Sequence, residues 1–557
     1  MEEVGRVVAV YGRNVVRLAV PEEKMGLVSR PGTYVKVEGH DGIWLYAMVV
    51  SYNLLDELYR RSRIVEELEG YLEFRPARNE LIASLVGYRL GDSVRRGVPV
   101  LPKPGQRVYL VPREELAEIM GRGDVELGSL SYDDGVPFRL SLDMLCSRHF
   151  AVLAMTGAGK SNAVAVMLAS ILSKYPYARI LLIDTHSEYV PLKQRFPGRV
   201  RVLSPAGKIG RLVEARYGVA PSPLEIPLWT LSLEEVTNLL RLGPQATKQI
   251  MYLRNALQEV RKRRYHNATT DDPIYYQPEE LLRAVRSVPT RDRSLEDLAL
   301  KLESLMENSD LRYITRPVRS DRLYEAASGE EPWKSAHAYL EIFGELLRPG
   351  LNIVALGGLP SEAQASTAAT ILRSVWRLVG AGILAGVATP VLVIVEEAHA
   401  YAPHGRWSPA RDILERIAKE GRKFGIGLGV VSQRPRELSQ TLLAQCGTLI
   451  ALRTANPEDQ RHILSSMEDI MREMVEGLAG LGTGEALISG PAAPLPAIVK
   501  VYHFPSRYGT ELGGKDVEWS KEWSREPAKV DLAPYIISEL SESGEEGRNS
   551  TMDDFLA

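Results

Sequence analysis

Cysteine is almost missing from this chain: Cys146 and Cys446 are the only two in 557 residues. Two thiols so far apart in sequence supply neither a disulfide framework nor a zinc-ligand pattern, so a reducing compartment, the cytoplasm, is expected. Charge of one sign is missing too. A net charge of −3 excludes a general electropositive field, and any contact with nucleic acid must then come from a local groove or ring of Lys and Arg. The opening residues MEEVGRVVAVYG carry acidic groups where a secretory leader needs basic ones, and their apolar run is short, so no targeting segment is expected. Only one stretch, Leu378 to Val395, reaches the length of a membrane span without a charge. Gly380, Gly382, Gly386 and Thr389-Pro390 interrupt it, so it reads as a helix end, a turn and a buried strand, and no membrane association is expected. What is present is ordinary for a globular protein: 45% apolar and 25% charged residues, in a length that suits several domain-sized units.

The chain is organised around residues 149–163. An apolar run of strand type, Phe150 to Ala154, enters a loop of small residues, and Lys160-Ser161 opens a helical pattern. This is a phosphate-binding loop in its expected context. Gly157 and Gly159 let the backbone turn tightly and point N–H groups at a triphosphate, with the positive end of the next helix behind them. Thr156, Gly157, Ala158, Gly159, Lys160, Ser161 and Asn162 are the expected nucleotide-binding residues, Lys160 reaching the β- and γ-phosphates and Ser161 ligating Mg²⁺. Ala154 stands where the consensus has its first glycine.

The rest falls into place around that loop. Residues 1–128 carry short Val- and Tyr-rich runs separated by turn signals such as Asp41-Gly42, which predicts a small β-barrel, with no aromatic platform interleaved with basic residues. Residues 129–209 begin an α/β core whose second strand ends at Asp184, a candidate for the magnesium shell or for turn formation. Residues 210–345 read as an inserted helical bundle, with a start signal at Ser232-Leu-Glu-Glu235; the basic run Arg261–Arg264 could touch phosphate, but reads better as a solvated helix end that suits the helix dipole. The core resumes over 346–505. There Val391–Val395 is followed by Glu396 and Glu397, an apolar strand with paired carboxylates at its tip. Glu396 is expected to hold Mg²⁺, and Glu397 to polarise the water that attacks the γ-phosphate. Gln433, at the tip of a neighbouring strand, is placed to sense that phosphate. The loop from Tyr401 to Arg411 carries His404, Arg406 and Arg411 as candidate DNA contacts. Residues 506–557 form an extension with an acidic tail that lacks periodicity.

Taken in order, Met-Thr-Gly-Ala-Gly-Lys-Ser-Asn, Leu-Leu-Ile-Asp-Thr-His-Ser-Glu-Tyr, Gly-Gly-Leu-Pro-Ser-Glu-Ala-Gln, Val-Glu-Glu-Ala-His, Glu-Gly-Arg-Lys-Phe-Gly and Ser-Gln-Arg-Pro resemble the HerA/FtsK class of archaeal hexameric DNA translocases over nearly all the chain up to about residue 505. The resemblance implies a RecA-like ATPase core, a HAS-type barrel, and a homohexamer hydrolysing ATP with Mg²⁺ between subunits while moving along double-stranded DNA. It also implies a NurA-like nuclease and the Mre11–Rad50 complex as partners in end resection. Arg422 matches the family's arginine-finger position, supplied in trans, with Arg434 as its rival. Glu396 departs from the usual aspartate. Two other readings stay open: an assembly or secretion ATPase like the VirB4 relatives, acting on protein, and an ATP-binding clamp for a nuclease.

Overall fold

The computed structural model describes all residues except 1, 13, 40–41, 56–77, 244, 291, 318–331, 467–471, 515–518 and 525–557. Asp41 of the expected hairpin and the acidic tail lie outside the described residues. Two compact units emerge: residues 1–178, 390–407 and 414–509 make one, and residues 179–389, 408–413 and 510–557 make the other.

The first unit opens with seven strands: β1 (Glu3–Tyr11), β2 (Val15–Ala19), β3 (Tyr34–Glu38), β4 (Trp44–Leu55), β5 (Arg78–Leu90), β6 (Ser93–Arg96) and β7 (Arg107–Leu110). Their order is β2-β1-β7-β3-β4-β5-β6, and a further pairing of β2 with β5 closes six of them into a barrel. Closure removes the edges that a short-stranded sheet would otherwise leave open. The fully buried Val16, Leu18, Val35, Val37, Leu45, Ala47, Leu81 and Leu85 recur with period 2 and form the barrel core, while Tyr34, Lys36 and Tyr46 on the opposite face are buried as well.

Beyond the barrel come β8 (Val125–Leu130), β9 (Asp133–Leu140) and β10 (Phe150–Leu153) in this unit, then β11 (Arg179–Asp184), β12 (Val200–Pro205), β13 (Ser222–Leu224) and β14 (Gly350–Ala355) in the other. The first unit is completed by β15 (Val391–Val395), β16 (Ile426–Ser432), β17 (Thr448–Leu452), β18 (Glu485–Ser489) and β19 (Ala497–Val501). Within it β15, β16, β10 and β17 run parallel, and β18, β19, β8 and β9 extend the sheet antiparallel. Strands β10, β15, β16 and β17 are buried along their whole length, which is why they read as unbroken apolar runs rather than alternating ones. Their parallel direction puts the C-terminal tips of β10, β15 and β16 at one end, where open α/β sheets hold ligands.

The second unit orders β13-β12-β14-β11, all parallel. Its helices include Leu233–Leu239, Thr247–Lys262, Pro278–Arg286 and Arg293–Glu307. The Ser232 hydroxyl accepts the Glu235 N–H while the Glu235 side chain takes the Ser232 N–H, the reciprocal cap the sequence announces. Leu378–Val395 resolves into the end of the helix Ser361–Leu384, a turn at Gly386 and β15; no described helix is long and apolar enough to cross a membrane.

Candidate functional site

The phosphate-binding loop leaves β10 and feeds the helix Lys160–Lys174. Gly157 (φ +76°) and Gly159 (φ +102°) occupy the left-handed region, so the loop requires glycine at both places. Neighbouring strand tips brace it: Ala154 N–H donates to the Ser432 carbonyl (3.2 Å), Met155 N–H to the Arg453 carbonyl (3.0 Å), and Gly484 N–H to the Ala158 carbonyl (3.0 Å). Ala158 is fully buried.

Four side chains meet at the tips of β10, β15 and β16. Lys160 Nζ forms an ion pair with Glu397 Oε1, and both side chains are largely shielded from water. Thr156 Oγ donates to Gln433 Oε1 at 2.8 Å, which links the loop to the proposed sensor. Glu396 is completely buried and Glu397 nearly so. Glu397 adopts a left-handed backbone (φ 48°, ψ 45°), one of four described non-glycine residues with positive φ. Such a conformation costs an L-residue about 1–2 kcal/mol. The left-handed residue turns the chain between β15 and the helix Ala398–Tyr401.

His399 went unremarked in the sequence as a site residue. Its Nδ1 lies 3.3 Å from Glu397 Oε2 and 3.1 Å from Ser432 Oγ. Ser432 Oγ also accepts the Arg434 N–H at 3.1 Å. Burial holds the His399 imidazole below its ordinary value although Glu397 pulls it up, so at neutral pH the ring stands uncharged beside Glu397. The Glu-Glu-Ala-His spacing is the sequence signal that could have found it.

Three of the expected site residues have side chains placed by contacts with other parts of the chain or by an adjoining helix. The Asn162 amide donates to the Tyr502 carbonyl (2.8 Å) and its oxygen accepts the Phe504 N–H (2.7 Å), tying the helix to the exit of β19. Asp184, in the second unit, spends both oxygens on the Glu188 and Tyr189 N–H groups, each at 2.9 Å, and so closes the turn after β11. Arg411 is half-buried at the start of the helix Arg411–Phe424 rather than on the loop tip. The tip itself exposes His404, Arg406 and an unanticipated indole, Trp407, 64% accessible. A bridge between Pro403 and Leu438, with His404 N–H donating to the Glu437 carbonyl (2.7 Å), fixes the base of this loop beside Gln433. Arg422 is exposed near the end of its helix, whereas Arg434 is engaged with Glu437 at 3.3 Å.

A magnesium site would draw on the Ser161 hydroxyl and the Glu396 carboxylate, hard oxygen donors of the type Mg²⁺ takes. No group of three or more His, Cys, Asp or Glu able to hold a metal exists among the described residues. That suits an ion that leans on one or two protein oxygens plus substrate phosphates and water.

The "Helicase HerA, central domain" family matches residues 125–375, and the "Helicase HerA-like C-terminal" family residues 386–505. A "Probable helicase" of Methanocaldococcus jannaschii is 30% identical over 427 residues, covering 74% of this chain and 76% of that protein. The "DNA double-strand break repair helicase HerA" of Pyrococcus furiosus is 29% identical over 544 residues, covering 89% and 92%. Among solved structures, VirB4 of Thermoanaerobacter pseudethanolicus aligns with 69% of this chain and 98% of its own at 16% identity and a TM-score of 0.49. On the family matches and the extent of these relatives, the chain belongs to the HerA helicase family.

Proposed function

We propose that this chain is an ATP-hydrolysing translocase or helicase on double-stranded DNA, acting in the cytoplasm as a homohexamer with a NurA-like nuclease, and with Mre11–Rad50, in the resection of DNA ends. The observation that carries the reading is the convergence of Lys160, Glu397, Thr156 and Gln433 at one end of a parallel sheet. The relatives named as DNA double-strand break repair helicases support the choice of DNA as substrate.

Roles follow from the chemistry. Lys160 exchanges its partner Glu397 for the β- and γ-phosphates, and the carboxylate so released orients and polarises the attacking water. His399, beside that carboxylate and bonded to Ser432, limits where it can turn. Gln433, joined to Thr156, relays the state of the γ-phosphate toward the loop whose base is fixed at Glu437 and Leu438. Ser161 and Glu396 would hold Mg²⁺, which supplies charge neutralisation across the phosphates when bound. Arg422, exposed on its helix, suits delivery to a neighbouring subunit's site, where its charge stabilises the transition state.

The test is ATPase activity with and without linear duplex DNA, together with displacement of a protein block from that duplex. Stimulation by duplex and ATP-dependent displacement are expected. Turnover unchanged by duplex, with no displacement, would favour the assembly-ATPase reading; nuclease support that survives in a variant unable to hydrolyse ATP would favour the clamp.

A further inference from the structure

The basic run that closes the helix Thr247–Lys262 is not uniform. Arg261 is fully buried, and its guanidinium donates to the carbonyls of Thr270, Leu231 (2.5 Å) and Trp229 (3.3 Å). Arg263 pairs with Glu259, and Arg264 with Glu280 at 3.2 Å. Two cations of the same helix behave differently. Arg254 and Lys262 are exposed and form no ion pair among the described residues.

They line a groove of about 440 Å³ together with Gln258, His266, Asn267 and Thr269. Arg254, Gln258 and Lys262 recur every four residues and so share one helix face, and at 1.5 Å rise per residue the two cations stand ~12 Å apart along it. No carboxylate lines the groove. Two acids of the adjoining loop, outside the groove lining, accept hydrogen bonds: Asp272 takes the Thr269 N–H (2.7 Å) and hydroxyl (2.9 Å), and Asp271 takes the Leu233 N–H (3.2 Å). The one ring on its lining is the imidazole of His266, and the groove is open rather than enclosed, unlike the apolar cleft that buries a small ligand.

We propose that this groove docks the phosphate backbone of duplex DNA, as a second contact outside the Tyr401–Arg411 loop. Guanidinium, ammonium and amide donors on an open face recognise phosphate rather than base, so the contact is independent of sequence. At about 3.4 Å of axial rise per phosphate on one strand, the Arg254–Lys262 span follows three or four phosphates of a stiff duplex. With a net charge of −3 the chain has no general field to do this work, so these two unpaired cations matter more than surface lysines on a basic protein would. The inference rests on the DNA reading given above.

The experiment measures binding of full-length protein to a short blunt duplex by fluorescence anisotropy over a salt series. Arg254→Ala/Lys262→Ala should lower the slope of log K against log salt by about 2, close to 0.9 per lost contact. Arg263→Ala, which removes a paired cation of the same run, should leave the slope unchanged. Matching circular-dichroism melting curves for all variants establish that the helices are intact. A wild-type protein without affinity for duplex would overturn the DNA reading and this inference with it. Wild-type binding with an unchanged slope in the double variant would overturn the groove alone. So would loss, in that variant, of affinity for a peptide of residues 538–557 with DNA binding intact, because the occupant would then be the chain's own acidic tail.

Discussion

The nucleotide site of the first unit and the groove of the second handle charge in opposite ways. Lys160 and Glu397 satisfy each other in a shielded pocket braced by three strand tips, whereas Arg254 and Lys262 face solvent with no carboxylate in reach. Chemistry on a phosphate needs groups whose positions are fixed before the substrate arrives and whose charges act in low dielectric. Holding a polyanion needs cations that lose little when they exchange counterions for phosphates. The contrast teaches that pairing, more than charge, separates a residue placed for catalysis from one placed for attachment.

That contrast can be broken at several points. The largest effect is expected at Arg422: Arg422→Ala should cut hydrolysis by about 10³-fold or more while leaving ATP binding in place, as a finger acts on the transition state. Mixing it with Lys160→Ala subunits should restore part of the activity, because only mixed rings join an intact loop to an intact Arg422; mass measurement of the rings checks the mixing. Lys160→Ala itself should lower nucleotide affinity and turnover together, each by about tenfold or more, since it removes both the phosphate cation and the partner of Glu397; turnover within about threefold of wild type would contradict the loop assignment. At the loop tip, Arg406→Ala should lessen the salt dependence of DNA binding by about one phosphate contact and weaken DNA stimulation of ATPase, measured by the same anisotropy series and a coupled assay. The smallest effect is structural: Ser232→Ala removes one half of the reciprocal cap and should cost about 1 kcal/mol, read as a lower midpoint in denaturant unfolding.

Much of this was legible in the chain because the determining contacts are local. Glycines at 157 and 159, the apolar run of β15 with two acids after it, and Ser232 three residues before Glu235 each specify their structure within a few positions. What was not legible lies where the partner is distant. Asn162 meets Tyr502 and Phe504 some 340 residues later, and no local signal announces an amide that fastens a helix to a strand exit. The run Arg261–Arg264 reads as one solvated end, yet Arg261 became a buried hub because the chain returns at Thr270 and passes Trp229 and Leu231. Asp184 was read with two roles open, and hydrogen bonds from Glu188 and Tyr189 favour the turn. His399 escaped notice because its role depends on Ser432, a residue of another strand.

The account stands most directly on the claim that Glu397 is released from Lys160 to activate water. Glu397→Gln keeps the shape and a hydrogen bond but loses the charge, so ATP binding, measured by titration with a fluorescent analogue, should remain within a few-fold of wild type while hydrolysis falls by about 10²–10⁴. Hydrolysis at the wild-type rate in a variant that binds nucleotide normally would contradict the account and move the working carboxylate to Glu396.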